Sequence, residues 1–172
     1  MSKSFGIQPT HLREIRIVIA DERKLLRQGL IALFTTELGI LVAGDTGDGM
    51  EAVELVAEKK PDLVVMNIDL PTLDGIGAAM RMRKVTPAPD FVFLANRHNE
   101  ALMREAFAVG GRAYLLSDCN FKELAFAVRK VASGDYYLTG PAGHDLVMGY
   151  INPVAPDEEP GRGPLTRRER EL

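Results

Sequence analysis

The sequence predicts a doubly wound α/β fold, with a five-stranded parallel sheet and five flanking helices. Short apolar segments alternate with longer amphipathic segments over residues 14–134. The apolar segments are rich in Val and Ile, and the third and fourth show little polar alternation, which is typical of strands buried on both faces. The length of 172 residues suits one such domain with some chain left over.

Each strand is predicted from its own apolar run. Because parallel strands need crossover connections and these are right-handed, helices should cover both faces of the sheet. In such folds the functional crevice lies at the carboxyl ends of the strands, so residues that follow strands 1, 3, 4 and 5 are the candidates for function. The five runs are Ile15–Ala20, Gly39–Gly44, Asp62–Asn67, Phe91–Asn96 and Arg112–Ser117.

The helices between the strands are predicted from apolar periodicity and from residues that begin or end helices. In chain order, these signals are the apolar repeat Leu26, Leu30, Leu33 and Phe34, the capping pair Asp48 and Glu51, the cap Asp74 with a stop at Thr86-Pro87, and the capping pair Asn120 and Glu123 with a stop at Gly134.

Composition places the chain among ordinary globular proteins, with 46% hydrophobic and 26% charged residues. Its 21 basic and 24 acidic residues give a net charge of −3, so it lacks the basic excess of a nucleic-acid-binding surface. A single cysteine, Cys119, excludes a disulfide framework and a multi-cysteine zinc site. With neither a signal peptide nor an apolar run of about 18 residues, we expect a soluble cytoplasmic protein with no membrane partner.

The two ends of the chain differ from the middle. Four of the ten prolines fall within Pro153–Pro164, which predicts an extended linker. Thr166 and Glu169 then form a capping box, so the last residues predict the beginning of another helix. The predicted segments are an N-terminal arm (1–13), the α/β domain (14–134), a short helix and Pro-rich linker (135–164) and the start of a further helical domain (165–172).

Two adjacent acids, Asp21 and Glu22, directly follow the first predicted strand. Such a pair at the mouth of the crevice can bind a hard cation such as Mg²⁺. Acids are also common at the start of a helix, where the helix dipole favours negative charge. The pair alone leaves both interpretations open.

The segment Met66–Gly75, which contains the end of strand 3 and the loop after it, resembles a known family in its sequence. Together with the acid pair and the segment Gly110–Leu116, it resembles the flavodoxin-like receiver domain of bacterial response regulators. Residues 165–172 are similar to the opening of a LuxR-type helix-turn-helix domain, as in the NarL/FixJ subfamily. The resemblance implies a two-component transcriptional regulator that dimerises through receiver helices and contacts DNA only through the domain missing from this chain.

The family pattern also implies a phosphorylation site, and this sequence departs from it. In typical members a histidine kinase phosphorylates an aspartate at the end of strand 3, and a hydroxyl and a lysine after strands 4 and 5 bind the phosphoryl group. The matching residues here are Asn67, Ala95 and Ser117, while Tyr114 keeps the aromatic switch position. A carboxamide is a poor nucleophile, Ala95 has no hydroxyl to donate, and Ser117 brings no positive charge. We therefore expect a phosphorylation-independent receiver with no catalytic residue and no histidine kinase as phosphodonor.

The metal site that the resemblance implies is reduced as well. Asp21, Glu22 and the backbone carbonyl of Asp69 remain as ligands, without the aspartate that typical members have at position 67. Fewer charged oxygens should weaken the binding of Mg²⁺, because this ion gives up its bound water molecules reluctantly. We expect at most weak Mg²⁺ binding and no other cofactor.

Two other functions stay open at the level of the sequence. One is a receiver that is still phosphorylated at a non-standard residue, Asp69 or Asp21. An enzyme on the same fold is the other, although it would need a nucleophile with a positioned base at a strand end. For Cys119, near the start of the fifth helix, the alternatives are an inert thiol and a thiol of lowered pKa.

Overall fold

The structure, a computed structural model, describes residues 13–138. The five predicted strand and helix pairs are all present, and the fold prediction is confirmed. The predicted arm, linker and further helical domain lie outside the described residues, apart from Arg13 and 135–138. In chain order the elements are β1 (Ile15–Ala20), α1 (Lys24–Thr35), β2 (Ile40–Thr46), α2 (Gly49–Lys59), β3 (Leu63–Asn67), α3 (Gly75–Met82), β4 (Asp90–Ala95), α4 (Glu100–Ala108), β5 (Gly111–Leu116), α5 (Phe121–Ala132) and β6 (Tyr137–Leu138).

The sheet is parallel, with the strand order β2-β1-β3-β4-β5-β6. The sixth strand is a difference from the predicted five. It spans only two residues, Tyr137 and Leu138, which pair with Ala113 and Tyr114 of β5. So short a strand leaves no period-2 pattern in the sequence, and the sheet extends beyond the predicted domain end at residue 134.

Helices cover both faces of the sheet, as right-handed crossovers require. On one face, Val18, Val64 and Phe93 pack into a core that also contains residues of α2, α3 and α4. On the other face, Ile17 and Val65 pack with residues of α1 and α5. Alternate residues of the same strands thus face opposite cores, which is why the central strands are apolar throughout.

The predicted N-cap residues accept hydrogen bonds from the first turns of their helices. The side chain of Asp48 accepts hydrogen bonds from the first turn of α2, and Asp74 and Asn120 cap α3 and α5. The capping box at α2 is only half correct. Glu51 accepts a hydrogen bond from the Thr46 hydroxyl at 2.8 Å, and the Asp48 N–H donates to that hydroxyl instead of to Glu51.

Several element ends differ from the sequence prediction. β2 continues two residues past Gly44, because Thr46 still pairs with Ala20 of β1. α3 ends at Met82 and not at Thr86-Pro87. α5 ends where Gly134 takes a positive φ of 90°, as predicted for a helix stop. Among residues 13–138, no helix has the length and apolar character needed to cross a bilayer.

Candidate functional site at the strand ends

The carboxyl ends of β1, β3, β4 and β5 bring the predicted site residues to one edge of the sheet. Asp21 directly follows β1 and Asn67 is the last residue of β3, and each is 1% exposed. Ala95 ends β4 and is buried, while Ser117 directly follows β5. Glu22, beside Asp21, is exposed.

The carboxamide of Asn67 is held at both of its ends. Its Nδ2 donates to Oδ2 of Asp21 at 3.3 Å, and its Oδ1 accepts from the backbone N–H of Asp69 at 2.8 Å. These two partners fix which end of the amide faces the acid, because a carboxylate only accepts and an N–H only donates. Asn67 therefore presents its amino group, and not an oxygen, to Asp21.

Arg23 is a site residue that the sequence analysis missed. Its Nε and Nη2 donate to the two oxygens of Asp21 at 3.0 and 2.8 Å, which forms a bidentate ion pair. Nη2 also lies 3.3 Å from Oγ of Ser117, across the crevice. The hydrogen bond to Asp21 is the main cause that raises the pKa of Arg23, with burial acting against it.

Asn96 is the second site residue that the sequence analysis did not single out. It follows β4, and its Nδ2 donates to Oδ2 of Asp69 at 3.1 Å. Its Oδ1 lies 3.3 Å from the Ser117 hydroxyl and 3.5 Å from Nδ2 of Asn67. Both residues could have been found from their positions in the sequence. Asn96 directly follows β4 and Arg23 lies two residues after Asp21, so both belong to the loops that line the predicted crevice.

The side chains at this edge do not fit a Mg²⁺ ion as they are arranged. Mg²⁺ takes oxygen ligands in a strict octahedral geometry. Here both oxygens of Asp21 accept N–H groups, and Asn67 turns its amino group toward them. Over residues 13–138, no cluster of three or more His, Cys, Asp or Glu side chains is suited to hold a metal ion. The predicted weak site of Asp21, Glu22 and the backbone carbonyl of Asp69 stays a prediction, and in this arrangement Mg²⁺ would first have to displace these donors from Asp21.

Comparison with known proteins identifies the family. The model of the response regulator receiver domain matches residues 17–129. The chain belongs to this family. It is 32% identical over 158 residues to the transcriptional regulatory protein YhcZ of Bacillus subtilis, covering 92% of this chain and 73% of YhcZ.

Two further similarities indicate which type of response regulator this receiver resembles. The chain is 31% identical over 146 residues to the transcriptional regulatory protein DegU of Brevibacillus brevis, with 85% of this chain and 62% of DegU covered. A solved two-component response regulator of the LuxR family from Aurantimonas sp. SI85-9A1 is 25% identical, with a TM-score of 0.73 over 80% of this chain and 99% of that one. The receiver is that of a NarL/DegU-type transcriptional response regulator, as the resemblance implied.

Tyr114, which the resemblance places at the aromatic switch position, lies inside the core. It is 0% exposed and pairs with Phe93 of β4, two residues before Ala95. Its hydroxyl donates to the carbonyl of Arg97 at 3.5 Å, and burial raises its pKa. Ala95 and Tyr114 both belong to the core on the α2, α3 and α4 side of the sheet.

Cys119 has the opposite electrostatic setting from an activated thiol. Burial, followed by the negative charges of Glu123 and Asp118, raises its pKa from the ordinary 9.0 to about 11. The alternative of a lowered pKa at the start of α5 is therefore wrong. The helix dipole is outweighed by loss of water and by two nearby acids.

We expect Cys119 of the native receiver to react slowly with iodoacetamide at neutral pH, with a rate that keeps rising to about pH 11. The thiolate is the reactive form, and the raised pKa keeps it scarce in the folded chain. In guanidinium chloride the same thiol should titrate near 9.0, because the burial is gone. Alkylation followed by mass spectrometry measures both rates. A native rate that reaches its plateau below pH 9 would contradict this assignment.

Proposed function

We propose that this receiver works without aspartyl phosphorylation, as an interaction module that controls a DNA-binding domain. The observation that carries the proposal is Asn67. It stands at the end of β3, where the family has its phosphoacceptor, and both ends of its carboxamide are already hydrogen bonded. An amide nitrogen bonded to a carboxylate offers no nucleophilic oxygen to a phosphoryl donor.

The other two phosphate-binding positions support the same conclusion. Ala95 brings no hydroxyl, and Ser117 brings no positive charge to neutralise phosphoryl oxygens. The neighbouring carboxylate of Asp69 is exposed and accepts from Asn96. Phosphorylation there would place the phosphoryl group in the loop after β3, without either binding partner. No residue in this arrangement is assigned a catalytic role.

The named relatives indicate the setting in which such a module would act. YhcZ and DegU are both named transcriptional regulatory proteins. We infer that DNA is contacted through a domain outside residues 13–138, and that the receiver acts in the cytoplasm. We also infer a homodimer through receiver helices, and the exposed apolar side chains Leu25 of α1, at 84%, and Phe126 of α5, at 51%, are candidates for its contacts.

Incubation of the chain with acetyl phosphate and Mg²⁺, followed by intact mass measurement, tests the proposal. We expect an unchanged mass, because position 67 holds no carboxylate. A receiver with an aspartate at the acceptor position, treated in parallel, verifies that the donor is active. A stable gain of one phosphoryl group, lost in Asp69→Asn or Asp21→Asn, would instead establish phosphorylation at a non-standard site.

A further inference from the structure

The acidic pocket of this receiver contains its own cation. We propose that Arg23 takes the structural place of a divalent metal ion, neutralising Asp21 and joining the loops after β1 and β5. The pocket is then closed with neither a metal nor a phosphoryl group bound. This inference rests on the proposed phosphorylation-independent function and names the residue that makes it possible.

The first argument is the saturation of Asp21. Its Oδ1 accepts from the backbone N–H and Nε of Arg23 at 2.8 and 3.0 Å. Its Oδ2 accepts from Nη2 of Arg23 at 2.8 Å and from Nδ2 of Asn67 at 3.3 Å. A carboxylate has about four acceptor sites, so these donors use them all. A metal ion would have to break the ion pair before it could bind Asp21.

The second argument is that Asp21 needs a counter-charge that it cannot obtain from water. The carboxylate is 1% exposed, and a buried charge without a partner is strongly destabilising. Arg27 is near but does not serve this purpose. Its Nε pairs with Asp45 at 2.8 Å, and its Nη1 donates to the backbone carbonyl of Asp21 at 2.6 Å. Among the described residues, the ion pair of the Asp21 carboxylate is the one with Arg23.

The third argument is the link across the crevice. Nη2 of Arg23 reaches Oγ of Ser117, which is 94 positions away in the sequence. The Ser117 hydroxyl has one hydrogen to donate, and both the Ala95 carbonyl at 3.2 Å and Oδ1 of Asn96 at 3.3 Å are within reach of it, so the contact ties the loop after β1 to the ends of β4 and β5. A positively charged side chain at position 117 would repel the guanidinium of Arg23, whereas the hydroxyl of Ser117 accepts a hydrogen bond from Nη2 of Arg23.

Thermal unfolding of the full chain, with EDTA and with millimolar Mg²⁺, tests the role of Arg23. We expect the wild-type midpoint to be the same in both solutions. Arg23→Ala should lower the midpoint in EDTA by roughly 5 °C, because Asp21 is left buried and unpaired. Mg²⁺ should recover part of that loss, since the substitution removes Nε and Nη2 and so leaves one acceptor site vacant on each carboxylate oxygen. The adjacent exposed residue supplies a matched control, Lys24→Ala, which should match the wild type in both solutions.

Two results would overturn the role of Arg23. One is a wild-type midpoint that Mg²⁺ raises as much as it raises that of Arg23→Ala. The other is an Arg23→Ala midpoint equal to that of Lys24→Ala. If Arg23→Ala does not fold, Arg23→Lys decides, because it keeps the charge but loses the bidentate geometry. It should melt below the wild type and respond to Mg²⁺, and a midpoint equal to the wild type in both solutions would refute the proposal.

The two proposals fail in different experiments. Phosphoryl uptake by the wild-type chain would refute the proposed function, whatever Arg23 does. A wild-type chain that takes up no phosphoryl group but is stabilised by Mg²⁺ would refute only the role of Arg23. Ser117→Ala separates the link from the ion pair, because it removes the contact across the crevice and keeps the pair of Arg23 with Asp21. The unfolding midpoint of Ser117→Ala should fall less than that of Arg23→Ala and should not respond to Mg²⁺. A fall as large as that of Arg23→Ala would contradict the ion pair as the main stabilising contact of Arg23.

Discussion

The triple variant Asn67→Asp, Ala95→Thr, Ser117→Lys is expected to take up one phosphoryl group from acetyl phosphate in Mg²⁺, whereas Asn67→Asp alone stays almost unmodified. An aspartate supplies the nucleophile, but the transferring oxygens still need partners for their charge. Removing one such donor costs an enzyme about 10²–10³ in rate. With two absent, the single variant should react at least about 100-fold more slowly than the triple variant.

The pocket geometry adds a second penalty to the single variant. Asn67→Asp exchanges the Nδ2 donor, 3.3 Å from Asp21, for a second buried carboxylate. Two close carboxylates repel each other, and Arg23 is already bound to both oxygens of the first. Addition of Arg23→Ala to the triple variant should therefore increase the rate further when Mg²⁺ is present.

Time courses of intact mass measure all of these rates. The matched control is the double variant Ala95→Thr, Ser117→Lys, which keeps Asn67 and should remain unmodified. Rapid phosphorylation of Asn67→Asp alone would mean that the residues at 95 and 117 contribute little to the loss of activity. Phosphorylation of the double variant would show that the acceptor is not position 67.

The fold and the position of the site follow from local sequence patterns. The strands from Leu63 to Asn67 and from Asp90 to Ala95 are buried almost throughout, so their apolar runs carry enough signal. Parallel topology then places the ends of β1, β3, β4 and β5 side by side, and this is why Asp21, Asn67 and Ser117 were expected together. The convergence is a property of the fold and needs no knowledge of side-chain direction.

The contacts within the site depend on side-chain directions that a linear pattern does not contain. Arg23 lies two residues from Asp21 in the sequence, but its second contact is Ser117, 94 positions away. The direction of its guanidinium depends on the hydroxyl of Ser117 and on the buried carboxylate of Asp21, which accept its hydrogen bonds. Cys119 illustrates the same limit. The rule for helix starts predicts a lower pKa, whereas burial and Glu123 raise it.

Gly49→Ala should reduce the free energy of unfolding by about 3 kcal/mol, at the upper end for an overpacked site. A Cβ on Gly49, the first residue of α2, would overlap the backbone carbonyl of Leu73 in the loop between β3 and α3. The N–H of Gly49 also donates to the carbonyl of Pro71 at 3.1 Å, so this loop is held close to the helix. Because the overlap is with backbone, no rotation of a side chain can relieve it.

Gly29→Ala is the matched control for this substitution, and its effect should have the opposite sign. Gly29 lies within α1, and a Cβ there would meet no atom within 4 Å. Alanine should therefore stabilise that helix by about 0.5–1 kcal/mol. Urea unfolding measures both variants, and a Gly49→Ala chain as stable as the wild type would contradict the close packing. Gly49→Ala should also displace the loop between β3 and α3. Because this loop contains Asp69, which accepts a hydrogen bond from Asn96, the substitution should disturb the polar network at the strand ends.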